Sequence, residues 1–146
     1  MTKNILGLID FSLVSEDVVA KTAELSKVYN AKCWLIHIAS PDPDFVGYDV
    51  GPEYIRETRA EHLMDEHEKL GEYKSKLISE GLNCEALLIQ GEIIQTVHQE
   101  VVKLGIDLIV LGSHGRSVLY ELLVGSVCEN LLKTAKVPLV IMPARK

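Results

Sequence analysis

A chain of 146 residues, 47% of them apolar, is of the usual size for one domain with a single hydrophobic core, so one domain over residues 1–146 is expected. A formal charge of −6 with no cluster of basic residues argues against a polyanion, and nucleic acid is not an expected partner. The uninterrupted apolar runs fall far short of the ~20 residues that cross a bilayer, and the start, Met1-Thr2-Lys3-Asn4 before Ile5-Leu6-Gly7-Leu8-Ile9, lacks a secretory h-region; no membrane span and a cytoplasmic location are expected.

Residues 5–9 form the first apolar run of strand length, ending at Asp10-Phe11-Ser12. Ser15 is a plausible helix cap, without the glutamate three residues on that completes a capping box. Val18, Val19, Thr22, Ala23, Leu25 and Ser26 then recur at helical spacing, which predicts a first helix over residues 16–29. Residues 33–38 read as a second strand, stopped by Ser40-Pro41-Asp42-Pro43-Asp44. A loop to about Gly51 follows, placed as a candidate lid beyond the second strand.

After Pro52, the residues Leu63, Met64, His67, Leu70, Lys74, Leu77 and Ile78 keep a helical period in a charged segment, predicting a long amphipathic helix that ends near Gly81. Residues 83–89 read as a third strand, 93–104 as a helix and 108–111 as a short apolar strand. Gly125-Ser126 offers a helix start, and residues 137–142 close as a fifth strand, with Pro138 favouring a sheet edge. Strands and helices in alternation require crossover connections, hence a doubly wound α/β domain with a parallel sheet covered on both faces. Such sheets bind ligands beyond the carboxyl ends of their strands, where the chain order reverses.

Cys33, Cys84 and Cys128 are odd in number and lack any CxxC, which reads as buried free thiols. His62 and His67 stand five residues apart, about 140° around a helix, so no metal pair is read from them. His37 reads as a satisfied core histidine, His98 as a helix-surface one and Trp34 as core.

The fourth strand runs into Gly112-Ser113-His114-Gly115-Arg116, and Gly125-Ser126-Val127 follows nine residues after Gly115, giving G-x2-G-x9-G-S. Two glycines directly after a strand let the backbone turn sharply and approach an anion, and a helix start at Gly125-Ser126 adds free N–H groups and a favourable dipole. The spacing is neither a Walker A loop nor a GxGxxG fingerprint.

This pattern resembles the ATP-binding signature of the universal stress protein family. The similarity runs along nearly the whole chain: Asp10-Phe11-Ser12, Leu35-Ile36-His37-Ile38, Asp107-Leu108-Ile109-Val110 and Val137-Pro138-Leu139-Val140 all look like that family's landmarks. The resemblance implies a five-stranded parallel sheet of order 3-2-1-4-5 with ATP across the ends of strands 1, 2 and 4. It implies that Asp10 bonds the adenine region and Ile38 flanks the base. Leu111 and Gly112 would line the nucleotide, Gly115, Gly125, Ser126 and Val127 would hold ribose and phosphates, and Ser113, His114 and Arg116 would stand in or beside the loop. Mg or Mn would bridge the phosphates without a protein ligand set, and a homodimer would join through the last strand, around Leu139 to Met142.

Two positions depart from the family habit: Leu8, two residues before Asp10, and Ile93, two residues after Gly91, stand where proline is frequent. The functional expectation is an ATP-binding stress-response protein acting as a nucleotide-dependent regulator. The alternatives are a slow ATPase or other adenine-nucleotide phosphate hydrolase, against which the absence of an SGGxDS-type loop at Asp10-Phe11-Ser12-Leu13 counts, and an interaction module with no nucleotide. No catalytic residue is assigned, since a phosphoryl-transfer site needs a base, a metal-binding carboxylate and a cation near the terminal phosphate.

Overall fold

The computed structural model describes residues 1–39, 53–114 and 125–144. Its elements are β1 (Asn4–Leu8), α1 (Ser15–Tyr29), β2 (Lys32–Ala39), α2 (Glu53–Ser79), β3 (Cys84–Gln90), α3 (Ile93–Leu104), β4 (Leu108–Gly112), α4 (Ser126–Thr134) and β5 (Leu139–Met142). All strands are parallel, in the order β3-β2-β1-β4-β5. The chain therefore builds outward from β1 through β2 to β3, then returns past β1 to lay down β4 and β5. The order reverses between β1 and β4.

Strand alternation divides the core into two layers. Ile5, Cys33, Leu35, Cys84 and Val110 face α1 and α2, packing on Val18, Val19, Ala23, Leu70 and Leu77. Leu6, Ile36, Ile38, Ile109 and Leu111 face α3 and α4, packing on Val97, Cys128 and Leu131. Gly7 lies in the middle of β1 because α1 presses on it: a Cβ there would come within 2.6 Å of Thr22 Oγ1, which is itself bound to the Val18 carbonyl. Close packing accounts for this glycine.

Several local readings change. Ser15 is not the cap of α1 but its first residue; Val14 holds the cap position without a side-chain bond, and the Ser15 hydroxyl donates to Asp10 instead. The stripe on α2 is narrower than its spacing predicts. Leu70 and Leu77 are buried, whereas Met64, His67 and Ile78 are exposed, because α2 touches the sheet along one edge only. Regular pairing in the last strand starts at Leu139, two residues after Val137, with Pro138 accepting from Ile109 through its carbonyl. β5 does form a sheet edge. Trp34 is half-buried, its Nε1 donating to Asn4 Oδ1 and its face covered by Lys32.

The three cysteines are free and buried. Cys33 and Cys84 are register partners across β2 and β3, and the hydrogen bond from one thiol to the other, with burial, pushes the Cys33 thiol far up; burial raises Cys128 as well. Beside Ile93, one of the positions without proline, the Glu92 carboxylate caps α3 by accepting from the amides of Ile94 and Gln95. The segment 40–52, including the candidate lid, lies outside the described residues.

Candidate functional site

The ladder between β1 and β4 ends at Gly7↔Val110, while β4 continues beside β5 as far as Gly112↔Met142. On the other side, β1 keeps to β2 through the Ile9 amide, which donates to the Ile36 carbonyl at 2.8 Å. The two central strands thus part at their carboxyl ends. In sheets of this kind a ligand crevice lies where the chain order reverses, here between the residues after β1 and those after β4.

One wall is the turn from Ile9 to α1. Asp10 Oδ1 accepts from the Ser12 amide at 2.9 Å, an Asx-type turn, and from the Ser15 hydroxyl at 3.0 Å. Asp10 is therefore a helix-flanking group, as its sequence position allows; since both bonds fall on Oδ1, Oδ2 takes part in neither. The turn forces Phe11 to φ 61°, a left-handed conformation uncommon for a bulky residue. The Ser12 hydroxyl is buried without a hydrogen-bond partner among the described residues.

The other wall is built by Ser113. Its amide donates to the Met142 carbonyl at 2.8 Å, and its own carbonyl accepts from the Gly125 amide at 2.8 Å, so a backbone bond joins the two halves of the glycine pattern. The Ser113 hydroxyl accepts from the Ala144 amide at 3.1 Å and lies 3.0 Å from His114 Nδ1. His114 Nε2 is buried and has no partner among the described residues. Gly112 is required sterically: a Cβ would overlap Val14 Cγ1 and approach the His114 carbonyl to 3.2 Å.

At α4, Gly125 is an extended N-cap (φ −63°, ψ 152°), and the first helical bond runs from the Glu129 amide to the Gly125 carbonyl. The amides of Ser126, Val127 and Cys128 consequently have no partner within the helix. Ser126 is exposed and Val127 half-buried. This is the geometry that favours an anion at a helix start.

Other expected residues are placed differently. Ile38 and Leu111 are 5% and 2% exposed, with their side chains in the α3–α4 layer, so what Leu111 offers a ligand is backbone. Gly115 and Arg116 lie outside the described residues. Among the described residues, no group of three His, Cys, Asp or Glu could hold a metal ion. No described helix is long and apolar enough to cross a membrane. A groove of about 660 Å³ runs between α1 and α2, bordered by Val19, Ala23, Tyr73 and Leu77, and none of the strand-end residues lines it.

Sequence reasoning passed over Ser12 and Val14 as parts of the site. Ser12 stands two residues after Asp10, the spacing of an Asx turn, so a signal for it was present. Val14 has no such signal, because its role depends on the distance between α1 and β4.

The model of the universal stress protein family matches residues 1–143. Universal stress protein MJ0577 of Methanocaldococcus jannaschii is 30% identical over 94 residues, covering 62% of this chain and 56% of the relative, so that sequence match spans little more than half the relative's length. The solved structure of MJ0577 superposes with a TM-score of 0.84 at 23% identity, covering 100% of this chain and 99% of the other. A universal stress protein family protein of Arabidopsis thaliana, solved with AMP bound, gives a TM-score of 0.69 at 18% identity, with 99% and 93% covered. A universal stress protein solved in complex with cAMP gives 0.65 at 19% identity, with 96% and 95% covered. A family match over nearly every residue, on a sheet of the same order, leads to one conclusion: the chain belongs to the universal stress protein family.

Proposed function

We propose that this chain binds an adenine nucleotide, ATP, in the crevice between β1 and β4, and that the bound nucleotide regulates its conformation or choice of partner. The observation that carries this reading is a pair of buried polar atoms with no partner among the described residues, Ser12 Oγ in the turn after β1 and His114 Nε2 in the turn after β4. Buried polar groups in folded proteins are ordinarily satisfied, so such a pair is suited to a polar ligand. AMP and cAMP, held by two proteins of this fold, make adenine nucleotides the class to test first.

In this reading Asp10 and Ile38 flank the base, with Leu111 and Gly112 contributing backbone. Gly125, Ser126 and Val127 receive phosphate at the start of α4, aided by Ser113 and His114, and Gly115 and Arg116 complete the loop. Mg or Mn travels with the phosphates and neutralises them. β5 supports a homodimer: it is an edge strand whose four residues are half-buried, an edge that a second copy can pair with.

The test is to purify the protein, identify any nucleotide carried with it, and titrate ATP by calorimetry. ATP should bind, and Gly125→Val should abolish binding while leaving the circular dichroism spectrum native, because φ −63°, ψ 152° suits any L-residue. A protein that is purified empty and ignores added ATP would sink the reading. Phosphate release then measures whether hydrolysis accompanies binding.

A further inference from the structure

His37 occupies a position that neither packing nor the phosphate loop explains. It is 7% exposed, and each ring nitrogen meets an oxygen: Nδ1 lies 2.7 Å from the Ile9 carbonyl, and Nε2 lies 3.1 Å from Glu66 Oε2 on α2. A carbonyl only accepts, so Nδ1 carries a hydrogen and donates to Ile9. A hydrogen also lies between Nε2 and the Glu66 carboxyl, on one partner or the other. The Phe11 ring packs on the imidazole at 4.7 Å between centroids, and Lys69 Nζ stands 5.7 Å from the Phe11 ring centre. β3 presents Leu88 at the register of His37, and the Asp10 carboxylate is turned to Ser12 and Ser15.

The sequence positions give this arrangement its meaning. Ile9 immediately precedes Asp10, and His37 immediately precedes Ile38, the two residues proposed to flank the base. One side chain thus fastens the peptide leading into Asp10 to the strand leading into Ile38, and α2 fixes that side chain through Glu66.

We infer that His37, oriented by Glu66, is the positioning residue that sets the width of the adenine slot between the ends of β1 and β2. The inference rests on the proposed adenine site. Neither residue touches the nucleotide; the pair acts by holding the turn at residues 9–12, including the left-handed Phe11, at one distance from β2.

Calorimetric titration with ATP of the wild type, His37→Phe, Glu66→Ala and Glu66→Gln tests this. His37→Phe keeps a ring under Phe11 but loses both bonds, and Glu66→Ala frees the imidazole from α2; each should weaken ATP binding about tenfold, within the range by which residues that touch no ligand alter affinity. Glu66→Gln should restore affinity to within about twofold, because its amide can donate to Nε2 while Nδ1 still donates to Ile9. A role in stability alone would lower the melting temperature of Glu66→Ala and leave its ATP affinity unchanged. That result, or a Glu66→Gln variant as weak as Glu66→Ala, overturns the inference; if His37→Phe does not fold, the Glu66 pair decides. A wild type that ignores ATP refutes the adenine site itself and takes the inference with it, whereas a binding wild type with unaffected variants refutes the inference alone.

Discussion

The two ends of the sheet are finished in different ways. At the amino end, turns are short and their polar groups are used locally. Asn30 and Gly105 end α1 and α3 in the left-handed conformation, with their amides returned to the last helical carbonyls. Asp107 accepts from the amides of Lys3 and Asn4, and Asn4 accepts from Trp34. At the carboxyl end, the central strands separate, a bulky residue is held at positive φ, the amides at the start of α4 have no helical partners, and two of the three buried polar atoms unpartnered among the described residues are found there. The third, Ser26 Oγ, lies toward the amino end against the Cys33 thiol, whose ionised form its hydrogen bond favours. An end built for closure satisfies its own groups; the groups left unsatisfied at the carboxyl end are those the proposed nucleotide would take up.

A matched pair of substitutions tests that contrast, one glycine from each end changed to alanine. Gly112→Ala should have the larger effect, a loss of about 1–3 kcal/mol of stability by overpacking together with weakened ATP binding, because the new methyl displaces Val14 or the backbone at His114. Gly105→Ala meets only Asn4 Nδ2 at 3.9 Å, an ordinary contact, and its cost comes from φ 63° alone, about 1 kcal/mol. Its ATP affinity should equal that of the wild type. Urea denaturation and calorimetry on both variants measure the two quantities, and equal losses of affinity would erase the functional distinction between the ends.

How much of this was legible in the sequence depends on the range of the forces involved. The strands and α3 follow from local runs and periods, and residues 93–104 match α3 because glycine bounds that segment on both sides. The exposed Met64 and Ile78 of α2 were misread because helical spacing gives a stripe but not the width of the surface that receives it. In the site, the glycine pattern pointed to the turn after β4 and the start of α4, since backbone conformation is encoded locally. That Ser15 bonds Asp10 instead of capping α1, and that His37 reaches both Ile9 and Glu66, arises from contacts between distant segments. Reading His37 as a satisfied core histidine was right about its burial and silent about what it holds.

The smallest expected effect belongs to Asp107, at the closed end. Its carboxylate lies below the usual range, held there foremost by the hydrogen bond from the Lys3 amide, with a second from Asn4 and the nearby Lys3 charge. A carboxylate depressed in the folded state stabilises the fold above its unfolded-state pKa, and that contribution disappears as pH falls through the folded-state value. Asp107→Ala should therefore lower the urea midpoint slightly at neutral pH, and the gap from the wild type should narrow in acid and close once both chains carry no charge at this position. The group is largely solvated, so added salt should shrink the charge-dependent part of the gap. ATP affinity should not change. A gap that stays constant into acid would mean that Asp107 acts through packing instead of its charged hydrogen bonds, and a loss of ATP binding would mean that the amino end is not independent of the crevice.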